Sequence, residues 1–310
     1  MLLLALTAMA MADSGRAYHV SVARAESLYV TEMGTGPAVV LIPGLFGAAF
    51  GFRHVMPLLA EQGYRAIVVE PLGIGNSARP RKADYSQTAQ ADRIANVLTQ
   101  LGVERALVVG HSAGASIVFR LAYRRPDLVG SMVTIDAGAL DGASTPGIRR
   151  YAAFAPWIKW LGGVRLIRRK IRQSLIESAG DTTWINDDVI SGYTAGAAAD
   201  LDATLISFMA MARAKEPGKL KPRLVDIQVP VLLLVGGAKH SAGVHREDVE
   251  LLQRSLRAFR VDTVPGAGHY IQEEQPDAVV TAVRAAHAWS REVRATCLAS
   301  CEVATPHPTP

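Results

Sequence analysis

A serine stands at the centre of the pentapeptide Gly-His-Ser-Ala-Gly at residues 110–114, directly after an apolar run at residues 106–109. A serine hydroxyl is a weak nucleophile unless a base lies beside it and an anion site faces it. The spacing predicts a tight strand-to-helix turn, which lifts the Ser112 hydroxyl out of a sheet and points the first helix amides at it. Gly110 and Gly114 leave room where side chains would block this crossing. The pattern favours Ser112 as a nucleophile, and a serine that caps a buried helix is the alternative.

The segments that must position this serine alternate between apolar runs and helical patterns. Strands are predicted at residues 28–32, 38–42, 65–69, 106–110, 131–135, 229–235 and 260–264. Continuous apolar strands separated by helices predict an α/β fold with a mostly parallel central sheet flanked by helices on both faces. Between about residues 140 and 225 the strand pattern disappears, which predicts a helical insertion.

Four ordered motifs between about Ser27 and Trp289 resemble those of the α/β-hydrolase family. Besides the serine turn, they are Ile42-Pro43-Gly44-Leu45-Phe46-Gly47, Gly73-Ile74-Gly75-Asn76-Ser77 and Gly266-Ala267-Gly268-His269-Tyr270. The resemblance implies an α/β-hydrolase core formed by residues 13–139 and 226–292. It also implies a helical lid, residues 140–225, inserted after the sixth strand, and a nucleophile–acid–base triad.

The resemblance assigns the base and the oxyanion site. His269 follows the last predicted strand in a glycine-flanked loop, from which an imidazole can reach the Ser112 hydroxyl; a structural loop histidine is the alternative. An oxyanion hole requires two backbone amides, and those of Leu45 and Ala113 occupy the family's positions. Pro43-Gly44 stands where the family commonly has His-Gly, a change that leaves an amide donor intact.

The acid of the triad is missing from its usual place. In most of the family it follows the strand after the lid, where this chain has Lys239. A lysine cannot hold the imidazole tautomer or offset the charge of an imidazolium. Asp136 ends the strand after the serine turn, where certain haloalkane dehalogenases and lipases carry their acid, and it keeps the order nucleophile, acid, base. Asp136 is therefore the predicted acid; a loop-capping aspartate, or a weak or inactive hydrolase, are the alternatives.

These roles predict a serine esterase that hydrolyses a carboxylic ester or a related acyl bond through an acyl-enzyme. Lactone, amide and carbon–carbon bond cleavage use the same groups and stay open. Epoxide hydrolases and dehalogenases are disfavoured, since they require a carboxylate nucleophile. A non-catalytic binding protein of the same fold, suggested by Lys239, is the alternative of another class. No cofactor or metal is expected. The expected partner is a small apolar acyl substrate, because the predicted lid carries Phe154, Trp157, Trp160, Trp184, Phe208 and Met209.

The composition fits one large domain, or a domain with an insertion. The chain has 310 residues, of which 49% are hydrophobic and 20% charged, so it can bury a substantial core. Its net charge of +5 is concentrated between residues 149 and 172, which hold basic residues and interleaved aromatics but no acid. This stretch is either a basic surface that contacts a membrane or an acidic ligand, or a lid helix with solvated arginines. Nucleic-acid binding is not expected, because no recognised module accompanies the charge.

The two ends of the chain carry further signals. Residues 1–12 resemble a signal-peptide core without the usual positive residue, so a periplasmic or secreted location and a cytoplasmic one both stay open. Cys297 and Cys301 could form a disulfide or remain two thiols. Residues 293–310 are predicted to be a flexible tail, because the last of them are rich in proline. The sequence does not predict the oligomeric state.

Overall fold

The computed structural model describes residues 15–142, 149, 152, 155–158 and 160–302. The strands of its sheet are β1 Arg16–Ala23, β2 Glu26–Met33, β3 Ala38–Ile42, β4 Arg65–Glu70, β5 Ala106–His111, β6 Val129–Ile135, β7 Val231–Gly236 and β8 Phe259–Val264. The α-helices are α1 Val55–Glu61, α2 Gln87–Gln100, α3 Ala113–Arg124, α4 Gly163–Ser178, α5 Asp187–Tyr193, α6 Ala195–Ala199, α7 Leu201–Arg213, α8 Arg246–Ser255, α9 Ile271–Glu274 and α10 Pro276–Glu302. Short 3-10 turns cover Ala49–Phe52, Ala155–Trp157 and Lys221–Asp226.

The eight strands form one sheet in the order β1-β2-β4-β3-β5-β6-β7-β8. The β1–β2 and β2–β4 pairs are antiparallel, and every later pair is parallel. Strands β5 and β6 are buried at every position, as expected for central strands covered on both faces. The predicted α/β class with a mostly parallel, helix-flanked sheet is confirmed.

Two apolar layers cover the faces of the sheet. On one face, Leu98 of α2 and Val118 of α3 pack against the sheet. On the other, Leu59 of α1 and Val279 and Val283 of α10 do the same. Because both layers completely bury their apolar side chains, they hold the strands in place.

Local signals set the ends of the elements. The Ser86 hydroxyl accepts a hydrogen bond from the Ala89 amide and begins α2, and Gly102 follows the helix with a φ of 64°. Strand β1 was not predicted. It is an edge strand with one buried residue, Val20, so it lacks the continuous apolar run that revealed the central strands.

Between β6 and β7 the described chain contains helices α4 to α7 and no strand, in the stretch where the sequence predicted a helical insertion. Helix α10 continues to Glu302, past residue 293 where the tail was predicted to begin. The reason is that no glycine or proline interrupts the chain before Pro306. The segment that resembles a signal-peptide core lies outside the described residues, and so do the side chains of the two cysteines.

No helix in the part of the chain that the structure describes combines the length and the apolar character needed to cross a bilayer.

A buried arginine joins the two ends of the helical segment to the core. Arg120 of α3 is completely buried and forms an ion pair with Glu216, at 3.1 Å from Nε to Oε2. Its Nη2 donates to the carbonyl oxygens of Leu140 and Asp141, just after β6. Glu216, which follows α7, also accepts from the Thr88 hydroxyl at 2.7 Å. The start and the end of the segment therefore meet at one buried charge.

We expect Glu216→Ala to lower the free energy of unfolding by about 3–5 kcal/mol, because it leaves the Arg120 charge buried without its partner. Urea unfolding monitored by circular dichroism measures the change. The matched control is Asp92→Ala. It breaks the exposed ion pair between Asp92 of α2 and Arg124, which lies on α3 like Arg120, and should lower the free energy of unfolding by less than about 1 kcal/mol. Equal losses in both variants would show that the buried pair contributes no more to stability than the exposed one.

Candidate active site

Ser112 lies in a sharp turn between β5 and α3. Its φ is 52°, in the left-handed region that a non-glycine residue adopts only when its surroundings hold it there. A Cβ at Gly110 would lie 2.7 Å from Val118 Cγ2, and one at Gly114 would collide with the Ile42 carbonyl oxygen. The side chain is partly exposed, above the carboxyl end of the sheet. This is the geometry that the pentapeptide predicted.

The loop after β3 passes directly beside the serine. A Cβ at Gly44 would lie 3.0 Å from Ser112 Cβ, so only glycine allows this approach without displacement. Leu45 follows in that loop, and Ala113 is the first residue of α3. The two residues whose amides were predicted to bind an oxyanion thus flank Ser112.

Glu70, at the end of β4, holds the loop after β3 through hydrogen bonds. Its carboxylate accepts hydrogen bonds from the Ala49 amide, at 2.8 Å, and from the Asn76 amide. Burial raises the pKa of Glu70, although these hydrogen bonds and Arg79 oppose the rise. The residue therefore joins two loops around the site.

Asp136 and His269 are brought together by the structure. His269 Nδ1 lies 2.8 Å from Asp136 Oδ2, and the Gly236 amide donates to Oδ1 at 3.2 Å. Asp136 has a φ of 45°, and its amide donates to the Leu234 carbonyl oxygen. Strands β6 and β7 are adjacent, which places the acid beside the loop that follows β7.

Hydrogen bonds on both sides hold the loop that carries His269. Its amide donates to the Ser178 carbonyl oxygen at 2.8 Å, and its own carbonyl accepts from His111 Nε2 at 3.0 Å. Burial lowers the pKa of His111 to about 3, so this neighbour of the nucleophile is a neutral hydrogen-bond donor. The position of His269 is thus fixed by α4 on one side and by the serine turn on the other.

The charge state of Asp136 selects a tautomer of His269. Burial alone raises the pKa of Asp136, but the hydrogen bonds from His269, His240 and the Gly236 amide outweigh it and lower the pKa. An ionised carboxylate only accepts, so His269 Nδ1 carries the hydrogen. In the neutral imidazole Nε2 then has a lone pair, the arrangement that a general base requires.

Sequence reasoning missed His240. Its Nε2 lies 2.8 Å from Asp136 Oδ2, the oxygen that also accepts from His269. The preceding Lys239, at the usual place of the acid, is exposed. A signal was present, because the loop after β7 is where the family's acid contacts the base, so any polar residue there is a candidate partner of the base. The acidic residues Glu247 and Asp248, in the first turn of α8, are not bonded to His269. Asp248 lies 3.5 Å from Lys221 Nζ instead.

Asp136, His240 and His269 are also metal-ligating residue types, and their donor atoms lie within 4.8 Å of one another. Ligands of a tetrahedral zinc ion at 2.0–2.1 Å from the metal would lie about 3.3 Å apart. The two 2.8 Å contacts to Asp136 are hydrogen-bond distances, and protons account for them.

The predicted aromatic lid residues divide into two groups. Trp160 is 87% exposed and Trp157 is also exposed. Phe208 packs on Phe46, in the loop beside Ser112, and Trp184 packs on Tyr270, next to the base. Phe154 lies outside the described residues. Of the predicted lid aromatics, Phe208 and Trp184 are therefore the ones that reach the candidate site.

Comparison with known proteins agrees with this fold. Residues 37–165 match the family model described as the alpha/beta hydrolase fold. The sn-1-specific diacylglycerol lipase ABHD11 of Mus musculus is 27% identical over 262 residues, which are 80% of each protein. Bifunctional epoxide hydrolase 2 of Sus scrofa is 33% identical over 110 residues, which are 35% of this chain and 20% of that enzyme. The crystal structure of Cfl2 from Burkholderia cenocepacia superposes with a TM-score of 0.74 and 23% identity, covering 87% of this chain and 95% of Cfl2.

The buried carboxylate predicts a pH dependence of stability. Since the pKa of Asp136 is lowered on folding, its ionised form stabilises the fold above the ordinary value of 3.8, and this contribution is lost as the pH falls through the lowered pKa. The free energy of unfolding of Asp136→Asn should therefore fall less between about pH 5 and about pH 2.5 than that of the wild type. Urea unfolding across this range tests the difference, with the exposed Asp92→Asn as control. Parallel curves for wild type and Asp136→Asn would contradict it.

Proposed function

The chain belongs to the α/β-hydrolase fold superfamily, and we propose that it is a serine hydrolase that cleaves a carboxylic ester through an acyl-enzyme. The observation that carries the proposal is the Asp136–His269 hydrogen bond of 2.8 Å, in a fold that holds Ser112 in a strained turn next to the Gly44-Leu45 loop. Each group that acyl transfer requires has a candidate in this arrangement.

The proposed cycle begins when His269 Nε2 accepts the hydroxyl proton of Ser112 while Oγ attacks the ester carbonyl. The Leu45 and Ala113 amides donate to the resulting oxyanion, and Asp136 stabilises the imidazolium. The imidazolium then protonates the leaving alcohol as the C–O bond breaks. Water, deprotonated by His269, attacks the acyl-enzyme, and the proton returns to Ser112 as the acid is released.

An apolar acyl group fits the surroundings of the proposed oxyanion site. A cavity of about 30 Å³ lies beside Leu45 and Ala113 and is lined mainly by apolar side chains, including Ile74, Ile117 and Met211. A water molecule needs about 10–15 Å³ of such space, so the cavity admits only a small group as it stands. Helix α7, which carries Met211, belongs to the segment that we propose acts as a lid and would move for a longer chain.

An ester is favoured over an epoxide by the residue at the turn. Epoxide opening in this fold needs a carboxylate nucleophile, and residue 112 is a serine. Of the two named relatives, the one called a diacylglycerol lipase aligns over most of this chain, whereas the epoxide hydrolase aligns over about a third. The exposed side chain of Lys239 removes the main argument for a non-catalytic binding protein, since the histidine has a carboxylate from β6 instead.

A fluorophosphonate probe should label the protein at Ser112, because only an activated serine attacks the phosphorus. Peptide mapping by mass spectrometry identifies the labelled residue. Ser112→Ala should abolish labelling, and Ser241→Ala, which changes an exposed serine in the loop after β7, should not. A wild-type protein that is folded but unlabelled would refute the proposed function.

Asp136→Asn should lower kcat for short-chain p-nitrophenyl esters by roughly 10³- to 10⁴-fold, because an amide can donate to His269 Nδ1 and favour the wrong tautomer. Steady-state kinetics over a series of acyl lengths measure the effect and the acyl preference together. The matched control is Asp248→Asn, which should retain wild-type kcat. If the two variants were equally active, the acid would lie elsewhere.

A further inference from the structure

Two histidines share one oxygen of the candidate triad acid. Asp136 Oδ2 lies 2.8 Å from His269 Nδ1 and 2.8 Å from His240 Nε2. The three side chains are buried, with exposed fractions of 0% for Asp136, 4% for His240 and 9% for His269. The proposed cycle uses only the imidazole of His269 and assigns no role to His240.

The protons of His240 follow from its two partners. Its Nδ1 lies 2.8 Å from the Ala238 carbonyl oxygen, which can only accept, so Nδ1 carries a hydrogen. Its Nε2 faces Asp136, whose carboxylate also only accepts while ionised, so Nε2 carries a hydrogen too. A ring that donates from both nitrogens is an imidazolium.

We propose that His240 is a positioning residue for the triad acid, which it holds as a cation so that Oδ2 faces His269. This inference rests on the proposed function for its kinetic consequence, but the protonation of His240 is independent of turnover. Lys239 has no part in it, because its side chain is exposed.

The charges around His240 favour the protonated ring. Burial alone lowers the pKa of His240, but the Ala238 carbonyl, Asp136 and Glu274 outweigh it and raise the pKa. Asp136 faces the ring from the end of β6, and His269 and Glu274 face it from the loop after β8 and from α9. The ionised state of Asp136 argues against the alternative in which the carboxyl carries the shared proton.

A cation here has a cost and a benefit for the chemistry. The His240 and His269 ring centroids are 6.3 Å apart, so a positive charge on His240 disfavours a second positive charge on His269. The pair formed by His240 and Asp136 also stabilises the transition-state imidazolium less than a free carboxylate would. His240 therefore sets the pH range of the enzyme as well as the orientation of its acid.

Nuclear magnetic resonance of the ¹⁵N-histidine-labelled Ser112→Ala protein tests the protonation directly, without any turnover. The ring signals of His240, identified by their loss in Ser112→Ala/His240→Gln, should show both nitrogens protonated at pH 7. A neutral ring at that pH would overturn the proposal. This result stands even if Ser112 proves unreactive, so the two proposals fail separately.

Kinetics then separate the charge of His240 from its hydrogen bond. The amide of His240→Gln can donate to Asp136 Oδ2 from nearly the same place as the imidazole but carries no charge, whereas His240→Ala removes both. In His240→Ala, kcat/KM should fall about 10- to 100-fold with little change in KM, the loss expected for one hydrogen bond to a charged group. His240→Gln should recover most of this at high pH.

The acidic limb of the kcat/KM profile should move in both variants. Without the cation, the repulsion between charges on the two rings is lost, so the limb should shift upward by roughly 0.5 to 2 pH units, as expected for two unit charges about 6 Å apart at effective dielectric constants of 80 to 20. The exposed His245→Gln is the matched control and should leave the limb in place. A merely structural role would lower stability without moving the limb, and an unmoved limb in folded His240→Gln would overturn the proposal.

Discussion

The buried carboxylate of Asp136 is the interaction on which the candidate site depends. A charge without solvent contact is stable only where donors surround it, and here the Gly236 amide, His240 and His269 do so. These donors come from the end of β7 and from the loops after β7 and β8. The carboxylate thereby ties the ends of three adjacent strands together and selects the tautomer of the proposed base.

The sheet makes this convergence possible. In a parallel sheet all carboxyl ends lie on one edge, so the consecutive neighbours β5, β6, β7 and β8 deliver the serine turn, the acid, the His240 loop and the His269 loop side by side. Ser112 and Asp136 both have a positive φ just after their strands. The packed layers on the two faces of the sheet hold these strained residues, which would relax in a free peptide. The helical segment between β6 and β7 is fastened at both ends to Arg120.

Much of this arrangement could be predicted from the sequence, for reasons that differ between elements. The central strands are continuous apolar runs, and α2 has its own cap and stop, so both are local signals. The edge strand β1 escaped prediction because an edge strand buries little. The predicted tail overlaps the last residues of α10, because the proline-rich end is preceded by a helical stretch with no breaker. The pentapeptide around Ser112 identified its turn because glycine is the residue type that fits the close contacts there.

The sequence by itself determined the fold class, the turn at Ser112 and the candidates Asp136 and His269, since periodicity, glycine placement and chain order are properties of neighbouring residues. Only the tertiary structure decided that Asp136 bonds to His269 and that a second histidine, His240, shares the same oxygen. Residues 136 and 240 meet because β6 pairs with β7 across the intervening helical segment. Such a contact depends on strand order and side-chain direction, which no local pattern encodes. It is also what identifies His240, next to Lys239, as part of the candidate site.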